Sequence, residues 1–232
     1  MMPKDEMSKK FLFKFRINPA SIKLDVKLGS YWFLGRIIRH PDTRTAGITN
    51  RCADMLHYVL FLDFDHIYYE TMKKSLLALQ TAERMSDIVI LKTSEEKDDY
   101  GKTIGSYHAY EFSKRKLPEI LRLMYQVPVD PNSLRVPRLF SGKAWVLRTE
   151  PKTKMNGTIV KGRPEFKEVL ESFYRPDHLW KRKQSLAHYL YLRKNIGIPM
   201  IHGDFDKETK IQTIEYTTTS RRWKTHWLRV AL

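Results

Sequence analysis

The chain has 232 residues with 42 lysines and arginines against 26 acids, a formal charge of +16, and 42% hydrophobic residues. This is a globular composition rather than a disordered one, and no apolar run approaches the ~20 residues a membrane helix needs. Residues 1–10 are charged and the stretch after them is interrupted by Lys14 and Arg16, so no secretory signal is read and a cytoplasmic location is expected.

Taken in chain order, the alternation in YWFLGRII predicts a strand over residues 31–38, and the turn-rich HPDTRTAGITN predicts a loop over 40–50. HYVLFLDFD, residues 57–65, is an apolar β-rich run that ends in acids and reads as a strand. Met72, Leu76 and Leu79 stand at helical spacing within a helix expected over 69–85. A short strand follows at 87–92, a polar loop at 93–105 and a strand at 106–112. Leu117, Ile120, Leu121 and Met124 mark a second helix with Pro118 in its first turn, where a missing N–H costs nothing. Residues 143–150 form a further expected strand, and residues 164–194 are expected to be largely helical.

From Tyr58 onward the order is strand, helix, strand, strand, helix, strand. That predicts an α+β fold around a mainly antiparallel sheet, like an RNA-recognition-motif core. The expected division is a core over 1–163 and a mainly helical, basic region over 164–232.

Cys52 is the only cysteine, so an intramolecular disulfide and a multi-cysteine zinc site are both excluded. The positive surplus favours a polyanionic partner, above all nucleic acid, because each neutralised phosphate releases condensed counterions.

Asp63 and Asp65 are two residues apart on a strand, so both point to one face while Phe64 points to the other. Two ionised carboxylates held close together repel. A divalent cation between them removes that penalty, and hard oxygen ligands suit Mg²⁺ or Mn²⁺. The plain structural alternative is a solvated strand end. In GSYHAY, residues 105–110, Ser106 and His108 share a strand face, where an imidazole beside a small hydroxyl can donate hydrogen bonds to nucleotide phosphates.

Apolar strand, D-x-D, helix, strand, loop and G-S-x-H-x-Y in that order resemble the archaeo-eukaryotic primase superfamily, in particular the primase–polymerases of archaeal plasmids and viruses. The resemblance spans residues 31–152. It implies a nucleotidyltransferase that joins nucleoside triphosphates on a DNA template or primer with two metal ions. Asp63, Asp65 and a third acid would hold Mg²⁺ or Mn²⁺. Asp130, just after the second core helix, is the favoured third acid and Glu150 its competitor. Ser106 and His108 would orient the triphosphate. The resemblance extends this role to Arg148 and Lys152 in WVLRTEPK, through charge-assisted contacts.

Lys181, Arg182, Lys183, Arg221, Arg222 and Trp223 are candidate nucleic-acid contacts, and a helicase or another replication protein is an implied partner. The acidic EEKDD segment departs from that pattern, as does the lack of a cysteine-based zinc module. A metal-dependent nuclease and a non-catalytic, basic replication accessory remain the alternative functions. DNA versus RNA as product stays open.

Overall fold

The structure is a computed structural model that describes residues 12–18, 21–28, 31–38, 43–131, 133–134, 144–154, 156–173, 182–217 and 222–231. The chain divides into two compact units, Met1–Thr43 and Arg44–Leu232. The first contains an antiparallel meander of β1 (Leu12–Asn18), β2 (Ser21–Leu28) and β3 (Tyr31–Ile38). The strand expected over 31–38 is present.

In the second unit the chain runs β4 (Thr43–Thr49), β5 (Tyr58–Tyr68), α1 (Tyr69–Ala82), β6 (Ile88–Lys97), β7 (Thr103–Arg115) and α2 (Leu117–Met124). It continues through β8 (Val146–Arg148), β9 (Lys152–Lys154), β10 (Ile159–Lys161), β11 (Glu165–Leu170), α3 (Leu186–Ile196), β12 (Lys210–Thr217) and β13 (Arg222–Arg229). The α+β class with mainly antiparallel sheets is as expected.

A four-stranded sheet has the order β11-β6-β7-β5. Its period-2 alternation separates two cores. Leu60, Leu62, Phe64, Ile90, Tyr107 and Ala109 face α1 and α2, joining Met72, Leu76, Leu79, Ile120, Leu123 and Met124. Each leucine, isoleucine, phenylalanine or methionine among them, once fully buried, contributes roughly 1.5–3 kcal/mol. Val59, Phe61, Val89, Leu91, Tyr110 and Phe112 face the opposite way, into a core shared with Ile48, Leu147, Ile211 and α3. α3 ends on Gly197, whose φ of 80° gives the left-handed cap that only glycine adopts without cost.

Several sequence expectations are corrected. The loop over 40–50 is instead the strand β4, because Thr43, Thr45, Ile48 and Thr49 suit a half-buried sheet and outweigh the turn residues. β4 lies inside a second, six-stranded sheet of order β10-β9-β4-β12-β13, with β8 also paired to it. β8 therefore does not complete the first sheet. The fourth strand of that sheet is β11, paired with β6 at the edge away from β5, so the expected helical stretch 164–194 begins as a strand. EFKEVL suits either state locally, and pairing with β6 decides it. Among the described residues, the region 164–232 holds one helix, α3, and three strands. The expected boundary at 163/164 thus falls inside a continuous unit. The loop over 93–105 shrinks to a tight turn: Asp98 accepts from the N–H groups of Tyr100 (3.0 Å) and Lys102 (2.8 Å), while Glu95 pairs with Lys167 (2.8 Å). Acids of EEKDD thus serve local structure. No described helix is long and apolar enough to cross a membrane.

Gly47 is what lets β8 approach β4. A Cβ there would lie 2.2 Å from the Leu147 carbonyl oxygen. Gly47→Ala is expected to cost about 1–3 kcal/mol in denaturant unfolding, as overpacking does. Gly162→Ala, where a Cβ meets nothing within 4 Å, is expected to stay within about 0.5 kcal/mol of wild type. Equal stability of the two variants would contradict the close β4–β8 approach.

Candidate active site

The face of the four-stranded sheet that turns toward the second core changes character along its length. On β5 the apolar Val59 and Phe61 give way to Asp63 and Asp65. On β7, Phe112 and Tyr110 give way to His108 and Ser106. Asp63 and His108 are register partners, so both side chains lie on this face. Immediately after Asp65 the ladder slips, between Phe64 and Ile67, and His66 takes a φ of 52°. Such a bulge bends the strand and re-aims its side chains.

These residues line a cavity of about 260 Å³ with Thr93, Arg148, Lys152 and Lys161. The sequence-predicted Asp63, Asp65, Ser106, His108, Arg148 and Lys152 are therefore brought together. Asp130 comes to the neighbouring hollow of about 170 Å³, which Asp63 also borders. Its backbone N–H donates to the Asp63 carbonyl oxygen (2.8 Å), and Ser133 Oγ donates to the Asp130 carbonyl oxygen (2.6 Å). Trp145 Nε1 in turn donates to the Ser133 carbonyl oxygen (2.7 Å), which anchors the segment to the core. Glu150 lines neither hollow and is paired with Arg163. Among the two candidates for a third acid, Asp130 is the one beside Asp63.

The electrostatics divide into an acidic wall and a basic one. Burial, reinforced by Asp130 and Asp65, pushes the Asp63 carboxyl up to about 6, against the pull of Lys161 and Arg148. Asp65 is held by a short hydrogen bond from Ser106 Oγ. Burial pushes His108 down to about 3, aided by the Arg148 and Lys161 charges, so its imidazole is neutral at physiological pH. Its Nε2 lies 3.7 Å from Asp63 Oδ1, too far for a hydrogen bond, and with a neutral ring the contact is no ion pair. His188 makes the contrast. Its two ring nitrogens engage Ser185 Oγ (2.7 Å) and the Thr49 carbonyl oxygen (2.9 Å), as a satisfied core histidine should.

Two residues that line the cavity carry a buried polar atom with no hydrogen-bond partner among the described residues: Thr45 Oγ1 and His108 Nδ1. Buried polar groups are normally paired, and an unpaired one costs about 1–3 kcal/mol. Two in the lining of one polar cavity point to an occupant that supplies the missing contacts. Enclosed small-molecule sites run to roughly 300–1,000 Å³, so this volume suits the phosphate portion of a nucleotide better than the whole.

Among the described residues, no group of three or more His, Cys, Asp and Glu side chains is arranged to hold a metal ion. Mg²⁺, however, is commonly bound by one or two carboxylates together with substrate phosphates and water. Asp63 and Asp65 fit that mode, and the raised Asp63 carboxyl is the penalty a cation would relieve.

Lys161 escaped the sequence reading. β10 folds back on β9, placing Lys161 opposite Lys152. The available signal was Asn156-Gly157, a hairpin dipeptide; Gly157 has a φ of 85° and Asn156 Oδ1 accepts from the Thr158 N–H (3.2 Å). Of the proposed nucleic-acid contacts, Arg182 pairs with Glu119 (2.6 Å) and Lys183 with Asp204 (2.5 Å), so both charges are already countered. Lys181 and Arg221 lie outside the described residues, as do the side chains of Arg222 and Trp223 on β13. Compared with known proteins, the chain matches no protein-family model, no curated protein and no solved structure.

Because the folded state holds the Asp63 proton more tightly than an unfolded chain does, stability falls as pH rises from the ordinary carboxylate range through about 6. Asp63→Asn removes that ionisation. In the presence of a chelator at pH 8 its melting temperature is expected to exceed wild type by about 2–4 °C, the shift of roughly 1 kcal/mol in a unit this size. Mn²⁺ is expected to raise the melting temperature of wild type but not of Asp63→Asn. Equal Mn²⁺ stabilisation of both chains would contradict the acidic wall as the cation's seat.

Proposed function

We propose that this protein is a template-dependent nucleotidyltransferase, a DNA primase/polymerase of the archaeo-eukaryotic primase type. The run β5–α1–β6–β7–α2 serves as its RNA-recognition-motif-like core. The observation that carries this reading is the convergence, on one cavity, of Asp63 and Asp65 from β5, Ser106 and His108 from β7, and Arg148, Lys152 and Lys161 from β8, β9 and β10. Acids from one strand and bases from three others face each other across a space of phosphate-group size.

Held by Asp63 and Asp65 with Asp130 alongside, Mg²⁺ or Mn²⁺ would supply charge neutralisation at the attacking hydroxyl and the departing pyrophosphate. The chain's own groups do the rest. Arg148, Lys152 and Lys161 offset the triphosphate charge and fix its direction. The neutral His108 presents one N–H donor without adding a charge beside Asp63. Ser106 keeps the Asp65 carboxylate in place. In the reaction the primer 3′-hydroxyl attacks the α-phosphorus, its proton is released, and the bond to the β-phosphate oxygen breaks. Positioning and electrostatics account for the rate, with no covalent enzyme intermediate.

A metal-dependent nuclease would need the carboxylates but not a wall of three cations and an unpaired imidazole. A non-catalytic accessory would need neither. The template is DNA in this reading, and a helicase or other replication protein as partner follows from the resemblance alone.

With a primed DNA template, deoxynucleoside triphosphates and Mn²⁺, the wild-type chain is expected to lengthen the primer. Asp63→Ala and Asp65→Ala are each expected to lower incorporation by about 100-fold or more, the scale on which transition-state charge stabilisation is lost. Shortening of the primer would replace this reading with the nuclease, and unchanged incorporation by the double aspartate variant would refute it.

His108→Ala and Lys161→Ala are expected to raise the nucleotide concentration for half-maximal rate by about tenfold, the loss of roughly one charge-assisted contact. An unaltered nucleotide dependence in both would remove the triphosphate from this cavity.

A further inference from the structure

A second hollow, of about 510 Å³, lies apart from the catalytic cavity and is lined by Ala53, Met55, Glu208, Lys210, Trp227 and Arg229. Three features of it have no structural use. Trp227 is 44% exposed, beside Met55 at 42%, although burying an indole is among the larger gains available to a fold. Lys210 and Arg229 are directly opposite each other on β12 and β13, where like charges are destabilising. Neither has an ion-pair partner among the described residues. Glu208, the one acid present, accepts from the Lys210 backbone N–H (2.9 Å).

Cross-strand partners share a face, and successive residues alternate. Lys210/Arg229 and Gln212/Trp227 are therefore on one face of the six-stranded sheet, opposite the face of Ile48, Leu147 and Ile211 that is buried in the second core. Further along the same face the strands are covered, with Thr49 and Ile214 buried, so the hollow is an exposed end of it.

We infer that this hollow holds single-stranded DNA, with a base stacked on Trp227 and flanking phosphates held by Lys210 and Arg229. The chemistry is that of sequence-tolerant single-strand binders: a cationic path combined with an exposed aromatic platform. The formal charge of +16 makes a polyanion the complementary occupant. The choice of DNA rests on the polymerase reading above, in which the hollow would grip the template outside the cavity.

The test is fluorescence anisotropy with a labelled oligothymidylate of about 12 nucleotides, within the roughly 4–16 nucleotide sites typical of such surfaces. Trp227→Ala is expected to weaken binding by about 5- to 100-fold, while Trp227→Phe, which keeps a stacking face, retains most of the affinity. Lys210→Ala combined with Arg229→Ala is expected to reduce the slope of log K against log salt by about 1.4, roughly 0.7 per phosphate contact. Unchanged affinity in Trp227→Ala, a Phe variant as weak as the Ala variant, or tighter binding of an oligouridylate of the same length would overturn the proposal. Running the same titration and a primer-extension assay on Asp63→Asn separates the two readings. Lost synthesis with an insensitive Trp227 condemns the DNA-binding hollow alone. Preserved synthesis with a sensitive Trp227 condemns the catalytic site alone.

Discussion

The burial of the Asp63 carboxyl, with the charges of Asp130 and Asp65 beside it, is the constraint around which this site is arranged. An acid raised to about 6 is under electrostatic load, and packing must hold it where it is. Phe64, fully buried between the two strand acids, fixes the β5 backbone in the first core. The hydrogen bond from the Asp130 N–H to the Asp63 carbonyl, with Ser133 and Trp145 behind it, fixes the third. Removing a charge there should stabilise the fold and impair its chemistry, the trade expected wherever function sits on strain.

The two-core architecture explains why the load is bearable. The four-stranded sheet is covered by α1 and α2 on one face and by the second sheet and α3 on the other. At one mouth of the second core the apolar filling gives way, and there the polar side chains of β5 and β7 meet the cations of β8, β9 and β10. Low-dielectric walls on either side strengthen each charge interaction within the mouth. They also keep His108 neutral despite a carboxylate nearby. The acids and the bases are supplied by different sheets, so their separation is set by sheet packing rather than by a mobile loop.

Much of this was legible in the sequence where local pattern and tertiary context agree. β5, α1, β7 and α2 follow from alternation, helical spacing and the first-turn Pro118. Asp63, Asp65, Ser106 and His108 share a cavity because strand alternation alone puts each pair on one face. What sequence reading missed is long-range. β4 looked like a loop because Gly47 resembles a turn residue; it is a glycine because β8 passes within a Cβ's reach. β11 looked helical because EFKEVL is ambiguous until β6 offers it an edge. Lys161 is brought opposite Lys152 by a hairpin whose Asn156-Gly157 signal was present but unused. The basic runs chosen from composition proved partly self-neutralised, at Arg182 and Lys183, whereas the uncompensated pair Lys210 and Arg229 comes from separate strands and no linear pattern joins it.

The most direct measurement of the central claim is a crystal structure with Mn²⁺ and a non-hydrolysable nucleoside triphosphate, read by the anomalous signal of the metal. The account predicts Mn²⁺ density against the carboxylates of Asp63 and Asp65, with the phosphates extending toward His108, Arg148 and Lys161. Manganese bound elsewhere, or phosphates that bypass these side chains, would contradict it.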